Sequence, residues 1–399
     1  MFKNYFKIAW RNLFRNKVYS AINITGLAIG MAMALLIGLW INDELNVNKN
    51  FAHYDRVVRV MHHSSQNGQT QTMADMPYPL ADEIRTKYAS DFKTVAILSW
   101  PTGLLFSYGN VKLGRDGVRY AEPGMIEILS LKLNRGGHDA LNEPATMMID
   151  QSLANDLFGK VDPLNKAITI NNQQPFRITG VFEDFPHSSE FNGLHCLISW
   201  KQVFVDNPGW KLSIDRWDWN YYPVYALLQD HADMDKLSAK MNPLLNGHGR
   251  ADHPVVFLHP MSRWHLYNEF KDGKNAGGAI DFIKMFGLIG FFVLLLACIN
   301  FMNLSTARSE RRAREVGIRK AVGSLRRQLI FQFLGESILI TTLAIGLSLV
   351  LVFISLPWFN QLTDKQMNFP WGKPVFWMLI AGFTLVTGKI GRASCRERV

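Results

Sequence analysis

Three long runs without charged residues divide this chain, and they constrain its fold more than any other feature. The runs are Val18–Asn42, Met285–Ala307 and Ser337–Thr363, with 25, 23 and 27 residues. A helix that rises ~1.5 Å per residue needs about 20 residues to cross the hydrocarbon core of a bilayer. Each run therefore predicts a membrane-spanning helix.

The 242 residues between the first two runs, Asp43–Lys284, have the composition of a water-soluble domain. A stretch of this length can bury its own core. Local patterns predict strands at Arg56–Met61, Ala167–Ile170, Phe176–Phe182, Tyr221–Leu228 and Val255–Leu258, and a short helix at Asp150–Leu157 ended by Gly159. The predicted fold class is a multi-pass α-helical membrane protein with a large mixed α+β (α/β) extracytoplasmic domain. A subdomain boundary is expected between residues 85 and 130.

The distribution of charge predicts the orientation. Residues 1–17 carry five basic groups and no acid, and the loop Arg308–Glu336 carries eight basic groups against three acids. Basic loops are retained in the cytoplasm, so both segments should face inward and the large domain outward. The net charge of +10 is concentrated beside the apolar runs, which argues against binding to nucleic acid and in favour of contact with membrane lipids.

The first 17 residues predict an amphipathic helix at the inner membrane surface. Basic residues recur every fourth position beside an aromatic stripe, and the first apolar run has no small-residue cleavage site, so a retained signal-anchor is expected. The residues assigned to this interfacial helix are Lys3, Phe6, Lys7, Trp10, Arg11 and Arg15. The alternative is a disordered basic tail.

Small residues recur every four positions in the first apolar run. They are Gly26, Gly30, Ala34 and Gly38. Such a face lets a second helix approach closely in a bilayer, so the pattern predicts helix packing without naming the partner helix.

A fourth apolar run, Pro374–Gly388, stops at 15 residues. The following Ile390–Val399 resembles a translated sequencing adapter, ATC GGA AGA GCG TCG TGT AGG GAA AGA GTG, codon by codon. We therefore expect residues 389–399 to be an artefact and the fourth helix to be cut, with a C-terminal part missing. A native basic tail is the alternative.

Motifs for catalysis and for cofactors are not found. The sequence contains no G-x-x-x-x-G-K-[ST], H-E-x-x-H or G-x-S-x-G motif, and the histidines fit no metal template. Glu183 and Asp184 precede a proline, as loop residues do. The aromatic group Trp217, Trp219, Tyr221 and Tyr222 could line a groove, although core packing is the favoured interpretation. We expect no catalytic residue, no metal and no cofactor.

Four segments resemble the MacB/FtsX-like ABC transporter permease family, in the long form common in Bacteroidota. They are Phe6–Lys17, Ile178–Pro186, Ile299–Arg308 and Arg314–Gly323, and the resemblance extends over residues 1–388. It implies four membrane spans, a periplasmic domain of MacB core type and a place in the inner membrane. It further implies a separate cytoplasmic ABC ATPase subunit, a second permease unit (as a homodimer or as the missing C-terminal half) and a periplasmic partner protein.

In this family a short coupling helix between the second and third spans docks on the ATPase. The matching residues here are Glu315, Val316, Gly317, Ile318, Arg319, Lys320, Ala321, Val322 and Gly323. The resemblance implies that ATP hydrolysis in the partner chain moves this helix and that the motion is transmitted mechanically to the periplasmic side. Without the resemblance, the favoured interpretation of this loop would be a simple positive-inside anchor.

These observations predict nine segments: interfacial helix 1–17, spans 18–42, 285–307 and 337–363, periplasmic domain 43–284, cytoplasmic loop 308–336, periplasmic loop 364–373, truncated span 374–388 and tail 389–399. Three functions remain open at this stage. The favoured one is a non-catalytic exporter subunit, the second is an FtsX-like regulator of a periplasmic hydrolase, and the third is a membrane-anchored enzyme.

Overall fold

The computed structural model describes residues 10–11, 13–15, 17–66, 68–250, 252–321 and 326–384. These residues belong to two compact units. The membrane unit comprises the described residues up to Asp43 and those from Phe282 onward, and the inserted domain is Glu44–Asp281. The α-helices from Lys17 onward, among the described residues, are α1 (Lys17–Glu44), α2 (Pro79–Lys87), α3 (Met125–Ile128), α4 (Gln151–Phe158), α5 (Val203–Asp206), α6 (Met234–Met241), α7 (Met261–Trp264), α8 (Ala279–Ala321), α9 (Arg326–Thr363) and α10 (Pro374–Thr384).

Three helices of the membrane unit are long and apolar enough to cross a bilayer. Their apolar parts are Lys17–Glu44, Ala279–Leu304 and Leu334–Thr363, with 28, 26 and 30 residues. They pack around small and branched side chains, among them Ala28, Ala297 and Ala344. Large apolar side chains elsewhere on them are open to the surroundings, as in Phe291, Phe353 and Ile354. Such exposure carries no penalty in lipid, so these helices suit a membrane and not water.

The inserted domain contains fifteen strands among the described residues. They are β1 (Val57–Gln66), β2 (Gln69–Met73), β3 (Asp75–Pro77), β4 (Phe92–Ile97), β5 (Thr102–Tyr108), β6 (Val111–Ala121), β7 (Leu133–Gly136), β8 (Thr146–Asp150), β9 (Ala167–Ile170), β10 (Gln174–Phe182), β11 (Cys196–Ser199), β12 (Asn220–Leu228), β13 (Val255–Pro260), β14 (Glu269–Lys271) and β15 (Lys274–Gly277). The five strands predicted from local patterns are all present, although β1 begins at Val57 instead of Arg56 and continues beyond Met61 to Gln66.

Six strands form the first sheet. Its order is β13-β1-β12-β3, with β2 added to β1 and β4 added to β12. The pairs β1–β12 and β1–β13 are antiparallel, and Val58 lies opposite both Ala226 and Pro260. One face of this sheet packs on α2 and α6 through a core that includes Ile84, Met241 and Val224.

Seven strands form the second sheet, in the order β7-β10-β8-β11-β6-β5-β9. Strand β9 pairs with both β5 and β10, so six of these strands close into a ring with β7 outside it. The ring mixes parallel pairs (β10–β8 and β11–β6) with antiparallel ones. A second core fills it and is covered by α4.

The chain passes from the first sheet to the second between Ile97 and Thr102, inside the interval expected for a subdomain boundary. Leu98 pairs with Ala121 as an isolated bridge there. A third apolar core lies between the two sheets. It contains Tyr225 and Leu227 of the first sheet and Phe182 of the second.

Helix α4 shows why the local prediction succeeded. The Asp150 side chain accepts a hydrogen bond from the Leu153 amide at 2.8 Å and caps the first turn. Gly159 ends the helix with φ 60°, a conformation that residues with a side chain rarely adopt. The helix predicted at Asp150–Leu157 is therefore confirmed as Gln151–Phe158.

Candidate functional site

The segment predicted to be a separate coupling helix is continuous with the second span. Helix α8 has 43 residues and runs without interruption from Ala279 to Ala321. Residues 308–321 contain no proline and are rich in Arg, Glu and Ala, which are good helix formers, so the helix continues past the membrane. Val322 and Gly323 lie outside the described residues.

Within this extension, Glu315, Val316, Gly317, Arg319, Lys320 and Ala321 all have helical backbone. Ile318 is 60% exposed, although it is a branched apolar residue. It is followed in the chain by Arg319 and Lys320, so an apolar side chain is presented in a strongly basic stretch. This combination suits contact with a protein surface that has an apolar depression and acidic surroundings.

The small-residue face of α1 divides into two parts. A Cβ on Gly30 would lie 2.5 Å from the Ala297 Cβ, and one on Gly26 would lie 3.3 Å from Nδ2 of Asn300. Both partners are on α8. Gly290 of α8 likewise lies close to Ile37, since a Cβ there would be 3.3 Å from Cγ2 of that residue. These glycines let α1 and α8 approach closely.

Ala34 and Gly38 line a cavity of about 640 Å³ in the membrane unit, together with residues of α8, α9 and α10. A Cβ on Gly38 would meet no atom within 4 Å. The regular four-residue repeat in the sequence therefore serves two different surroundings.

Three of the six residues assigned to the inner membrane surface, Lys3, Phe6 and Lys7, lie outside the described residues. Trp10, Arg11 and Arg15 are helical and exposed, and the Trp10 ring lies 5.4 Å from that of Phe14. The Ser20 hydroxyl donates to the Leu13 carbonyl at 3.3 Å. A straight helix cannot bring residues seven apart into such contact, so Leu13 and Ser20 do not lie on one straight helix.

The inserted domain begins and ends at the same short segment. The Glu44 carboxylate bonds to Nε2 of His265, and the Ile280 amide donates to the Leu266 carbonyl at 3.1 Å. His265 and Leu266 directly follow α7, whose Trp264 is only 2% exposed. We call Met261–Tyr267 the junction segment. The sequence gives no sign of this segment, because the two residues that bond to it, Glu44 and Ile280, are more than 200 residues apart in the chain.

The junction segment is held to the first sheet by Trp264. Its Nε1 donates to the His259 carbonyl at 2.8 Å, and the Arg59 guanidinium lies 4.6 Å from its ring centre. Arg59 also lies over the Tyr225 ring at 5.3 Å and 3.6 Å from the Glu190 carboxylate. Burial raises the pKa of Glu190. These contacts connect the place where the chain joins the domain to the middle of its core.

Two of the four aromatic residues singled out in the sequence, Trp217 and Tyr222, pack at the core of the first sheet. Trp217 stacks on His248 with ring centres 3.3 Å apart, and Tyr222 is 3% exposed and 5.1 Å from the Trp200 ring. Tyr221 is 47% exposed, and the Trp219 ring lies 5.4 Å from the Tyr221 ring. The favoured interpretation, core packing, is therefore right for Trp217 and Tyr222.

Among the described residues, Asp150 and Asp184 fix a helix end and a loop. No group of three or more His, Cys, Asp or Glu side chains among them could hold a metal ion. Asp184 accepts hydrogen bonds from the Ser152 amide and hydroxyl and fixes a loop, as expected. His195 Nδ1 lies 2.7 Å from Asp150, which itself caps α4. The two residues of this pair are 45 positions apart in the chain, so no local sequence pattern predicts their contact.

Comparison with known proteins identifies the class. Residues 20–244 match the family model of the MacB-like periplasmic core domain, and residues 287–388 match that of the FtsX-like permease C-terminal domain. The chain therefore belongs to the MacB/FtsX-like family of ABC transporter permeases, as the sequence resemblance indicated, and the inserted domain is a periplasmic core domain of MacB type.

Individual relatives are distant in sequence. The ABC transporter permease YvrN of Bacillus subtilis is 23% identical over 353 residues, which are 84% of this chain and 83% of YvrN. The macrolide export ATP-binding/permease protein MacB of Campylobacter jejuni is 22% identical over 391 residues, 91% of this chain and 55% of that protein. The chain thus spans about half the length of MacB.

Solved structures resemble part of the chain. A permease domain from Porphyromonas gingivalis aligns with a TM-score of 0.43 and 21% identity, over 53% of this chain and 92% of that one. The periplasmic region of MacB from Actinobacillus actinomycetemcomitans aligns with a TM-score of 0.39 and 16% identity, over 52% and 90%.

Proposed function

We propose that this chain is the non-catalytic membrane subunit of an ABC exporter in which a separate cytoplasmic ATPase performs hydrolysis and the motion is transmitted mechanically to the periplasmic domain. The observation that carries the proposal is the uninterrupted helix α8, which connects the end of the inserted domain to the basic segment Glu315–Ala321. A continuous helix is stiff along its axis, so displacement of one end moves the other.

The coupling surface in this proposal is Glu315–Gly323, with Ile318 as its apolar contact. Relatives whose names include both an ATP-binding and a permease part support an ATPase partner. The small residues of α1 form the helix-packing face, and Trp10, Arg11 and Arg15 lie in the inner headgroup layer. We place the protein in the inner membrane with residues 43–284 periplasmic, together with a second permease unit and a periplasmic partner.

Replacing Ile318 by Asp tests the docking surface. A carboxylate in an apolar depression loses its hydration without a partner, so the ATPase should no longer co-purify with the full chain from its native membranes. Ile318→Leu keeps the apolar contact and should retain the ATPase. Ile214→Asp, at a 37% exposed site in the inserted domain, controls for the added charge.

Membrane insertion of all three variants is checked by extraction. An inserted variant stays in the membrane pellet in carbonate and is released by detergent. Co-purification of the ATPase with Ile318→Asp at the level of the unchanged chain would disprove the assigned coupling surface. Loss of the ATPase in Ile214→Asp as well would point to an effect of charge elsewhere in the protein.

A further inference from the structure

The cavity in the membrane unit has the size and lining of a ligand site. Its volume is about 640 Å³, within the range of about 300–1,000 Å³ for small-molecule sites. The lining comes from four helices and is mainly apolar. Representative residues are Ala34 and Gly38 of α1, Leu294 of α8, Ile345 of α9, and Phe376 and Phe383 of α10.

The cavity is about as long as one leaflet of a bilayer is thick. On α1 its lining runs from Met31 to Asn42, and the two ends of this stretch of helix are about 16 Å apart along its axis. The hydrocarbon core of a bilayer is about 30 Å thick, so one leaflet occupies about half of that. The cavity can therefore accept an extended acyl chain from one leaflet.

One end of the cavity is polar and lies at headgroup level. Asn42 and Lys373 line that end, where Lys373 immediately precedes α10 and is exposed. Trp371 and Trp377 flank Lys373 in the chain, and their rings are 6.1 Å apart. Tryptophans are concentrated at membrane–water interfaces, which locates Lys373 among the lipid headgroups. The opposite end, at Met31 and Phe383, is apolar.

We propose that this cavity binds one anionic phospholipid from the leaflet on the side where α1 enters the inserted domain. The acyl chain occupies the apolar part, and the phosphate meets the ammonium group of Lys373. The complementary charge at the polar end selects an anionic lipid over a zwitterionic one. This lipid site goes beyond the proposed exporter function and does not depend on the ATPase.

The test measures lipid retained by the purified full chain in native mass spectra. Delipidated protein is titrated with phosphatidylglycerol or, separately, phosphatidylcholine of the same chain length. We expect one phosphatidylglycerol bound per chain, at least tenfold more tightly than phosphatidylcholine. Gly38→Phe fills the cavity and should weaken phosphatidylglycerol binding at least tenfold. Gly346→Phe, on an open face of α9 outside the cavity, should leave it within twofold.

Lys373→Gln provides a second variant at an exposed position, which leaves the helices unaffected. It should abolish the preference for phosphatidylglycerol while the acyl chain still binds. Equal binding of both lipids by the unchanged chain overturns the proposal, as does unchanged binding by Gly38→Phe. A disulfide between two copies carrying Gly38→Cys, formed in vesicles with no lipid retained, would show that a second copy occupies the cavity and would equally overturn it.

Discussion

Two histidines of the first sheet are buried without the hydrogen bonds that usually accompany burial. His62 is fully buried, and neither of its ring nitrogens has a partner among the described residues. Burial, aided by the nearby Arg250 charge and opposed by Asp252, lowers the pKa of His62 to about 4. The pKa of His259 is also lowered to about 4, by burial and by Arg59 and Arg263.

We predict that the inserted domain loses stability as the pH falls from about 6.5 towards 4. In that window the unfolded chain protonates His62, whose ordinary pKa is 6.5, while the folded chain keeps it neutral. The difference amounts to up to about 3 kcal/mol for this residue. Urea unfolding of residues 44–281 at pH 7 and at pH 5 measures this difference in the free energy of unfolding.

His62→Leu should reduce this pH dependence, because it removes the group that titrates in the unfolded state. Replacement of the exposed His231 by Leu is the matched control and should leave the slope unchanged. An identical slope in His62→Leu and in the unchanged domain would show that this histidine is accessible to protons in the folded state.

At the scale of helices and strands, the sequence predicted those elements whose formation depends on a local residue pattern. The strands Phe176–Phe182 and Tyr221–Leu228 are apolar and largely buried, so their pattern is strong. The hairpin Thr102–Ala121 was not predicted, because few residues of its strands are fully buried and they carry Lys112 and Arg115. The closure of the ring through β9 depends on pairing between distant strands, which one sequence does not encode locally.

In the candidate site, too, some features are visible in the sequence and others arise only from tertiary packing. Exposed Ile318 lies in the segment that the sequence singled out, since charge and apolar residues there are visible directly. The sequence predicted a short coupling helix, whereas the described helix continues from the second span to Ala321 through residues that are good helix formers. The junction segment and the cavity arise from tertiary packing and have no signature in the sequence.

The contact between α1 and α8 gives a second prediction. Gly30→Ala places a methyl group 2.5 Å from the Ala297 Cβ, so the helices must separate, at a cost of about 1–3 kcal/mol. The midpoint of thermal unfolding of the full chain in detergent should fall. Gly38→Ala meets no atom within 4 Å and should leave it unchanged.

Ala297→Gly in the Gly30→Ala background removes the opposing methyl group and should restore most of the lost stability. A double variant no more stable than Gly30→Ala alone would mean that this contact does not bring the helices together.

At the scale of the whole molecule, the proposal depends on which side of the membrane each part faces. Gln173→Cys lies in the exposed turn between β9 and β10, and Arg319→Cys lies near the end of α8. With Cys298 and Cys395 replaced by Ser, the remaining Cys196 is fully buried, and burial raises the pKa of its thiol.

We predict that a membrane-impermeant maleimide added to intact spheroplasts labels Gln173→Cys and leaves Arg319→Cys unlabelled. The positive-inside rule gives this orientation, since the basic segments stay in the cytoplasm. Lysed spheroplasts should label both, which controls for reactivity. Labelling of Arg319→Cys alone in intact spheroplasts would reverse the orientation and remove the basis for an ATPase at that end.

The junction segment has one more consequence, which concerns how such a chain can change over evolution. Glu44 and Ile280 bond to consecutive residues, His265 and Leu266, so the polypeptide leaves the domain beside the point where it arrived. Its two ends can therefore be joined to any pair of adjacent helices without stretching either. Residues 44–281 are thus suited to exchange between permeases as one module, which would replace the surface of this domain on an unaltered membrane part.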